Sequence, residues 1–192
     1  MEKLPFIKEQ QRKNTLRQWQ QLMNRELIEH AIQTKLLQTD TWRQAQTIGV
    51  TISKGLEWDT EYLIHKAWQQ EKRIVIPKCN PKDSSMAFYQ YQAGDQLENV
   101  WADIWEPSIS NALFVEKKQI DLMIVPGVVF NKKGFRIGYG GGFYDRFLQN
   151  YTGITLSLAA DFQIVETIML EKHDKPVDIL ISNFGKIYCK HT

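Results

Sequence analysis

The sequence has few cysteines and no long apolar run, which argues against a disulfide-rich protein and against a membrane-spanning protein. Only Cys79 and Cys189 occur among the 192 residues, and neither belongs to a CxxC motif. That usage is typical of free thiols in a reducing compartment, although a disulfide between the two stays open. No stretch approaches the ~18 apolar residues of a membrane span, and the charged N-terminus lacks the apolar core of a signal peptide. We therefore expect a cytoplasmic protein without a membrane partner.

An excess of one charge is also lacking. The 24 lysines and arginines are nearly balanced by 22 acidic residues, so the formal net charge is +2. Such a small excess predicts no general binding to nucleic acid, but it leaves room for a local basic site for a small anion. Because 43% of residues are hydrophobic and 24% are charged, the composition favours one globular domain over residues 1–192.

The first third of the chain has helical periodicity. Apolar residues recur every three or four positions over residues 8–37, which predicts a long amphipathic helix with room for one break. Its expected buried stripe is Leu16, Trp19, Met23, Leu27, Ala31 and Leu36. A second helix is expected to begin at Asp59 or Thr60 and to bury Leu63, Ile64, Ala67 and Trp68.

Short β-branched segments alternate with these helices. Strands are predicted at 47–52, 73–76, 121–125 and 155–159, with Pro77 ending the second of them. The continuous apolar run at 121–125 is typical of a sheet centre. We expect residues 86–91 to form an antiparallel strand and residues 101–107 to be irregular. The alternation predicts an α/β fold with a mainly parallel central sheet flanked by helices, Rossmann-like and three-layered but without a dinucleotide site.

The most informative segment runs from Gly134 to Arg146 and contains three adjacent glycines, Gly140 to Gly142. Each glycine costs roughly 0.5–1 kcal/mol relative to alanine in an ordinary element, so an unusual backbone conformation is expected here. A glycine loop before a helix, expected at about 142–150, presents free N–H groups to an anion. Arg136 and Arg146 can add charge-assisted bonds to phosphate, and Asp145 suits Mg²⁺ beside phosphate oxygens.

Two common nucleotide loops are absent. The chain has no GxxxxGK[ST] sequence, which excludes a Walker A loop, and GxGxxG fails because Phe143 stands where the third glycine would be. A structural turn with an aspartate at the helix start is the simpler alternative, which the two flanking arginines disfavour.

The segment Gly134-x-Arg136-x-Gly138-x-Gly140-x-Gly142-x-Tyr144-Asp145-Arg146 closely resembles the signature of the 5-formyltetrahydrofolate cyclo-ligase family. The resemblance extends over nearly the whole chain. It includes an N-terminal basic pair, Lys8 and Arg12, an acidic loop, Glu57-Trp58-Asp59-Thr60, and a C-terminal acidic segment, His173-Asp174 followed by Val177-Asp178. Gln11 departs from the family because an apolar residue is usual there, so Lys13 and Arg17 remain an alternative basic pair.

The resemblance implies ATP- and Mg²⁺-dependent cyclisation of 5-formyltetrahydrofolate, which can be polyglutamylated, to 5,10-methenyltetrahydrofolate, with release of ADP and phosphate. It implies catalytic roles for Arg136 and Arg146, and metal binding by Asp145 and Asp174, with Asp178 as a weaker candidate. The implied ATP-binding residues are Lys8, Arg12, Arg136, Ile137, Gly138, Tyr139, Gly140, Gly141, Gly142, Phe143 and Tyr144. The implied folate-binding residues are Ile52, Glu57, Trp105, Tyr139, Gly140, Gly141, Gly142 and Phe143.

Two other functions remain open from the residues alone. A sugar-phosphate isomerase-like enzyme would use a phosphate loop without ATP, and a nucleotide- or folate-binding module would bind without turnover. The combination of Arg136, Asp145 and Arg146 favours catalysis, because simple binding does not need a metal carboxylate beside the phosphate loop.

Overall fold

The computed structural model describes residues 3–101, 104–108, 110 and 112–189. Its α-helices are α1 (Lys3–Gln20), α2 (Arg25–Leu37), α3 (Asp40–Gln44), α4 (Glu61–Gln69) and α5 (Phe143–Phe147). Its strands are β1 (Thr47–Gly49), β2 (Arg73–Asn80), β3 (Ser85–Tyr91), β4 (Leu97–Trp101), β5 (Ile104–Pro107), β6 (Phe114–Val115), β7 (Leu122–Ile124), β8 (Val129–Asn131), β9 (Arg136–Ile137), β10 (Ile154–Ala159), β11 (Ile164–Val165), β12 (Ile179–Ser182) and β13 (Lys186–Tyr188). No helix of this described part is long and apolar enough to cross a membrane.

The central sheet has eight strands in the order β13-β12-β10-β7-β1-β2-β3-β6. The four pairings from β12 through β10, β7 and β1 to β2 are parallel, while β13, β3 and β6 run antiparallel at the two edges. Every residue of β7 is buried, as the continuous apolar run at 121–125 predicts. The expected α/β fold with a mainly parallel sheet is confirmed, and the single-domain expectation stays a prediction.

Apolar side chains leave the strands alternately toward the two faces of the sheet, because the side-chain period of a strand is two. Ile74 and Ile76 of β2 belong to one buried cluster, and Val75 between them belongs to another. The first cluster contains buried side chains from α1, α2, α3 and α4. The second cluster is covered by α5 and neighbouring loops. The helices are therefore distributed unequally, and the face covered by α5 has the thinner outer layer.

The predicted N-terminal helix is two helices separated by residues 21–24. Met23 and Leu27, which we expected to be buried, are 101% and 74% exposed. The break reorients α2, so that Ile32, which was not part of the expected stripe, is buried together with Leu36, which is buried as expected. Trp19 of α1 is buried as expected.

Strand β2 does not end at Pro77, contrary to the prediction, but continues to Asn80. Strand β1 is shorter than predicted, and on the β2 side it pairs only with Arg73, Ile74 and Val75. Pro77 therefore lies where β2 has no β1 neighbour, and a missing N–H is tolerated on an open strand side. Helix α4 begins as expected near Asp59, whose Oδ1 accepts the N–H of Glu61 at 2.9 Å.

Two hairpins and one short helix differ from the sequence expectations. Of the segment 101–107, which we expected to be irregular, the described residues Trp101 and 104–107 belong to the antiparallel pair of β4 and β5, and residues 102–103 lie outside the described part. The hairpin of β8 and β9, which the sequence did not suggest, lies between β7 and the triple glycine. Helix α5 ends at Phe147 instead of extending to about residue 150. The glycines therefore follow a hairpin and lead into little more than one helical turn.

Gly134 lies in the turn between β8 and β9, where its φ is +86°. A Cβ at this position would lie 2.1 Å from the carbonyl oxygen of Val177 and 3.0 Å from Cβ of Cys189. We predict that Gly134→Ala lowers the free energy of unfolding by about 4 kcal/mol, because backbone strain and overpacking add. Urea denaturation measures this loss.

Gly94→Ala is the matched control, because Gly94 also has a positive φ, +92°, but has open space around its Cβ position. We expect the control to lose only about 1–2 kcal/mol from backbone strain. Equal losses in the two variants would show that the close approach to Val177 is unimportant.

Candidate functional site

A cavity of about 1450 Å³ opens beside the carboxyl ends of β1 and β7. Thr51, Ile52 and residues 54–57, which follow β1, and Pro126, which follows β7, line it together with the glycine segment. In an open parallel sheet this edge is the usual place for a ligand. The volume exceeds the ~300–1,000 Å³ of most pockets for one small molecule, so there is room for two ligands side by side.

The cavity is lined by all but one of the residues to which the resemblance gives a catalytic, ATP-binding, folate-binding or preferred metal-binding role. Arg146 is the exception: it is exposed, and its guanidinium donates a 3.3 Å hydrogen bond to the carbonyl of Gly141. Its catalytic role therefore stays a prediction without support from the cavity lining. The expected residues that do line the cavity are Lys8, Arg12, Ile52, Glu57, Trp105, Arg136, Ile137, Gly138, Tyr139, Gly140, Gly141, Gly142, Phe143, Tyr144, Asp145 and Asp174.

Arg136 and Asp145 form a buried ion pair beneath the glycine segment. The side chain of Arg136 is 3% exposed, and its Nη2 lies 3.1 Å from Oδ1 of Asp145. Its Nη1 donates to the carbonyl of Lys175 at 2.6 Å. Burial lowers the pKa of Arg136, and Asp145 opposes that shift by stabilising the charged form. Arg136 therefore acts first as a structural tie between β9, α5 and the loop that contains Lys175.

Both hydrogen bonds of the Asp145 carboxylate go to the same oxygen atom. Oδ1 accepts from Arg136 and from the N–H of Lys175, at 3.1 and 3.0 Å. Among the described residues, no hydrogen bond is found to Oδ2. Because Asp145 lines the cavity, Oδ2 is the atom that a cation could contact.

Lys8 of α1 reaches an acidic group on the opposite wall of the cavity. Its Nζ lies 2.7 Å from Oδ2 of Asp174 and 2.8 Å from Oε2 of Glu171. Burial alone would lower the pKa of Lys8, but the hydrogen bonds to Asp174 and Glu171 outweigh it and raise that pKa. The ammonium group therefore stays charged beside these acids at neutral pH.

The acidic wall contains two residues that the sequence analysis missed as site residues. Potential metal-binding atoms of Glu171, His173 and Asp174 all lie within 4.8 Å of one another. The close spacing of an acid, a histidine and an aspartate was a visible signal, but charged loop segments are common without a ligand. Asp178 does not line the cavity, and its Oδ2 accepts from the backbone N–H and the hydroxyl of Thr155 at 2.8 and 2.7 Å.

Arg12 holds the first part of the glycine segment. Its Nε donates to the carbonyl of Gly138 at 2.8 Å, and its Nη1 pairs with Glu9. Lys13 and Arg17, the alternative basic pair, are exposed and do not line the cavity. The placement therefore favours Lys8 and Arg12 as the pair that faces a ligand.

Glu57 lies on the loop that follows β1. Its Oε2 accepts the N–H of Lys54 at 2.9 Å, and the hydroxyl of Tyr139 donates to the carbonyl of Leu56 at 3.2 Å. Burial raises the pKa of Glu57, and the bond from Lys54 only partly opposes this. Trp105 of the β4–β5 hairpin also lines the cavity and is 47% exposed. It is thus a wall residue rather than a core residue.

The hydroxyl of Tyr144 is buried beside the side chain of Thr51. Burial raises the pKa of this phenol, and the hydrogen bond with Thr51 only partly opposes that shift, so the phenol stays protonated. Because Tyr144 lines the cavity, its hydroxyl is available to a polar atom of a bound molecule.

Comparison with known proteins identifies the family of the chain. The model of the 5-formyltetrahydrofolate cyclo-ligase family matches residues 6–183. The chain belongs to this family.

Individual members of the cyclo-ligase family resemble the chain over most of its length. The 5-formyltetrahydrofolate cyclo-ligase of Haemophilus influenzae is 35% identical over 144 residues, covering 72% of this chain and 77% of the relative. That of Escherichia coli K12 is 33% identical over 142 residues, covering 72% and 78%. The structure of the 5,10-methenyltetrahydrofolate synthetase of Aquifex aeolicus superposes with a TM-score of 0.82 at 24% identity, covering 97% and 94%. The expected family and fold are both confirmed.

In this chain the glycine segment differs physically from a loop at the start of a long helix. Helix α5 has five residues, so its dipole can add little to anion binding, contrary to the sequence argument. The left-handed backbone at Gly140 and Gly142, with φ of +105° and +67°, turns the chain sharply instead. Attraction for an anion therefore depends mainly on nearby cationic side chains such as Arg12.

The buried carboxylate of Glu57 generates a prediction about stability. A carboxyl whose pKa is raised by folding costs stability above its folded pKa, and this cost disappears below its unfolded pKa of ~4.3. We therefore predict that Glu57→Gln is more stable than the wild type at pH 7 but not at pH 4. Each unit of upward shift corresponds to about 1.4 kcal/mol. Urea unfolding at both pH values measures the difference.

Glu166→Gln is the control for Glu57→Gln, because Glu166 is an exposed acid outside the cavity. We expect its free energy of unfolding to change equally little at both pH values. A loss of stability in Glu57→Gln at pH 7 would contradict the burial argument.

Proposed function

We propose that this member of the cyclo-ligase family uses ATP and Mg²⁺ to convert 5-formyltetrahydrofolate to 5,10-methenyltetrahydrofolate, releasing ADP and phosphate. The observation that carries the proposal is one continuous cavity in which the glycine segment, two basic side chains and the Glu57 loop meet. A phosphate-binding wall and a wall suited to a pterin ring are thus close enough to bring two substrates together.

The reaction must remove a formyl oxygen, which is a poor leaving group as hydroxide. Transfer of the γ-phosphoryl group from ATP to that oxygen breaks the bond to ADP and creates an iminium-like carbon. N10 of the folate then attacks this carbon and loses its proton, and phosphate leaves with the oxygen. Little covalent chemistry is required of the protein, which must align the two substrates and neutralise charge.

The proposed ATP-binding wall consists of Lys8, Arg12, Arg136 and the segment 137–144. The carbonyl of Gly138 is held by Arg12, and the buried pair of Arg136 and Asp145 supports the segment from below. Phosphate oxygens can therefore meet a backbone that is already positioned, with Lys8 and Arg12 supplying positive charge. Transition-state stabilisation by Arg136 would act mainly through this arrangement, because both of its terminal nitrogens already have partners.

The acids of the cavity fit a Mg²⁺ ion associated with the phosphates. Oδ2 of Asp145 and the carboxylate of Asp174 are the proposed protein ligands, since Mg²⁺ usually takes one or two carboxylates together with phosphate oxygens. When bound, the ion would neutralise charge that develops on the transferring phosphoryl group. Lys8 now bonds Asp174, so it would exchange that acid for a phosphate oxygen when ATP binds.

The proposed folate wall is formed by Ile52, Glu57, Trp105 and the segment 139–143. The carboxylate of Glu57 can accept paired N–H bonds from an aminopyrimidine edge, and Trp105 offers an aromatic face for stacking. Burial of Glu57 strengthens such bonds because little water competes for them. The substrate can carry a polyglutamate tail, and we propose action in the cytoplasm without nucleic acid or a membrane.

One assay tests the proposal against its two alternatives. The protein is mixed with 5-formyltetrahydrofolate, Mg²⁺ and ATP, and the ultraviolet absorbance of the conjugated methenyl product is followed. We expect product only when ATP and Mg²⁺ are both present. Folded protein that forms no product would refute the proposal, and folate binding without turnover would support a binding module. Isomerisation of a sugar phosphate without ATP would support the isomerase-like alternative.

Asp145→Asn tests the metal ligand with little change of shape, because asparagine keeps an oxygen that can accept from Arg136 and Lys175. We predict that turnover falls at least about 100-fold and that the Mg²⁺ concentration for half-maximal rate rises. Stability should fall by about 3 kcal/mol, since the guanidinium of Arg136 stays buried without a charged partner. Steady-state rates and thermal unfolding measure the two effects, with Asp161→Asn as a surface control.

Normal specific activity in the folded fraction of Asp145→Asn would contradict the metal role. A large loss of stability together with normal activity would assign Asp145 to the buried ion pair alone.

A further inference from the structure

One face of α2 is bonded to the loop that carries Glu57. Arg25, Glu29 and Gln33 follow one another at intervals of four residues, so they lie along the same side of the helix. The guanidinium of Arg25 donates to the carbonyl of Gly55 at 3.1 Å and also to the carbonyl of Glu57. The carboxylate of Glu29 accepts the N–H of Asp59. The amide of Gln33 donates to the carbonyl of Asp59 at 3.1 Å.

All four bonds go to the backbone of residues 55–59. This stretch belongs to no helix or strand, and it contains a left-handed residue, Gly55, with φ of +52°. Without neighbours of its own, such a loop samples many conformations at little cost. The bonds from α2 are therefore well placed to select one of them.

Helix α2 is a rigid support because a second stripe beside the polar one is buried. Ile32 and Leu36 are fully buried in the cluster that covers the sheet, and Ile28 packs against it. The polar side chains are thus mounted on an element whose position is determined by the core. A site residue held through such an element is more accurately placed than one on an unsupported loop.

We infer that Arg25, Glu29 and Gln33 are positioning residues, which hold the loop from outside so that the carboxylate of Glu57 faces the folate. The bonds of Arg25 at the carbonyls of Gly55 and Glu57 hold the backbone on both sides of this residue, and the bonds of Glu29 and Gln33 at Asp59 hold the end of the loop. From the cavity side, Tyr139 bonds the carbonyl of Leu56. The loop is therefore held on both sides.

This inference rests on the proposed role of Glu57 in folate binding, but it makes a separate structural statement about the loop. Loss of an α2 bond should free the loop without changing the glycine segment, because none of the four bonds reaches residues 134–146. The effect on KM should therefore concern the folate and leave ATP and the chemical step nearly unchanged.

Glu29→Ala is the decisive variant, with Glu26→Ala as its matched control. Both changes remove one carboxylate from α2, but Glu26 is exposed and bonds none of the loop residues. Amide hydrogen exchange of residues 53–60 is measured without substrate, and kcat and both KM values are measured in the methenyl assay. Arg25→Ala, which removes two bonds, provides a second test. Glu29→Gln keeps an oxygen that can accept from Asp59 and tests for rescue.

We expect Glu29→Ala to exchange residues 53–60 about tenfold faster and to raise KM for 5-formyltetrahydrofolate about tenfold, as the loss of one charge-assisted hydrogen bond allows. KM for ATP and kcat should stay within about twofold. Glu29→Gln and Glu26→Ala should behave like the wild type, and Arg25→Ala should change in the same direction as Glu29→Ala. Unchanged exchange in β7 and β10 confirms that each variant is folded.

Wild-type exchange and KM in both Glu29→Ala and Arg25→Ala would overturn the inference. Equal increases of both KM values would also overturn it, because they indicate a general structural role. If the wild type itself forms no methenyl product, the proposed function fails, but the exchange rates still decide whether α2 holds the loop.

Discussion

The guanidinium of Arg136 imposes the strictest local requirement on the site. A charged group that is 3% exposed must be fully paired, because an unpaired buried charge costs several kcal/mol. Asp145 and the carbonyl of Lys175 meet this requirement, and they come from two different parts of the chain. Because the partners of this one charge lie in different elements, their bonds hold β9, α5 and the loop that contains Lys175 together. The glycine segment between Arg136 and Asp145 has little freedom left.

The wall of the cavity that contains Glu57 depends on several separate hydrogen bonds instead of one buried ion pair. The Glu57 loop is held by the side chains of α2 on one side and by Tyr139 on the other. The cavity also retains a group that reduces stability, namely the half-buried carboxylate of Glu57. Such a cost is expected where a protein keeps polar atoms ready for a ligand. In both walls the backbone is held by hydrogen bonds, while polar atoms inside the cavity remain available to a ligand.

Sequence reasoning succeeded where a local pattern has one physical meaning. The apolar run at 121–125 became the fully buried β7, and the costly glycines became a sharp turn beside a cavity. It failed where the tertiary structure changed the context of a residue. Pro77 was expected to end β2, but the early end of β1 left an open side that tolerates proline. Met23 and Leu27 fit a helical stripe that the break at 21–24 interrupts.

The sequence by itself determined the family, the α/β alternation and nearly all of the residues that line the cavity, because these depend on local spacing and on a specific motif. Only the tertiary structure decided which of them are paired. Lys8 meets Asp174 across 166 positions of sequence, and Arg136 uses Asp145 before any ligand does. The spacing of Arg25, Glu29 and Gln33 was visible from the start, but their partners in the Glu57 loop were not. Local patterns specify which face of an element is polar, whereas the packing of distant elements determines what that face touches.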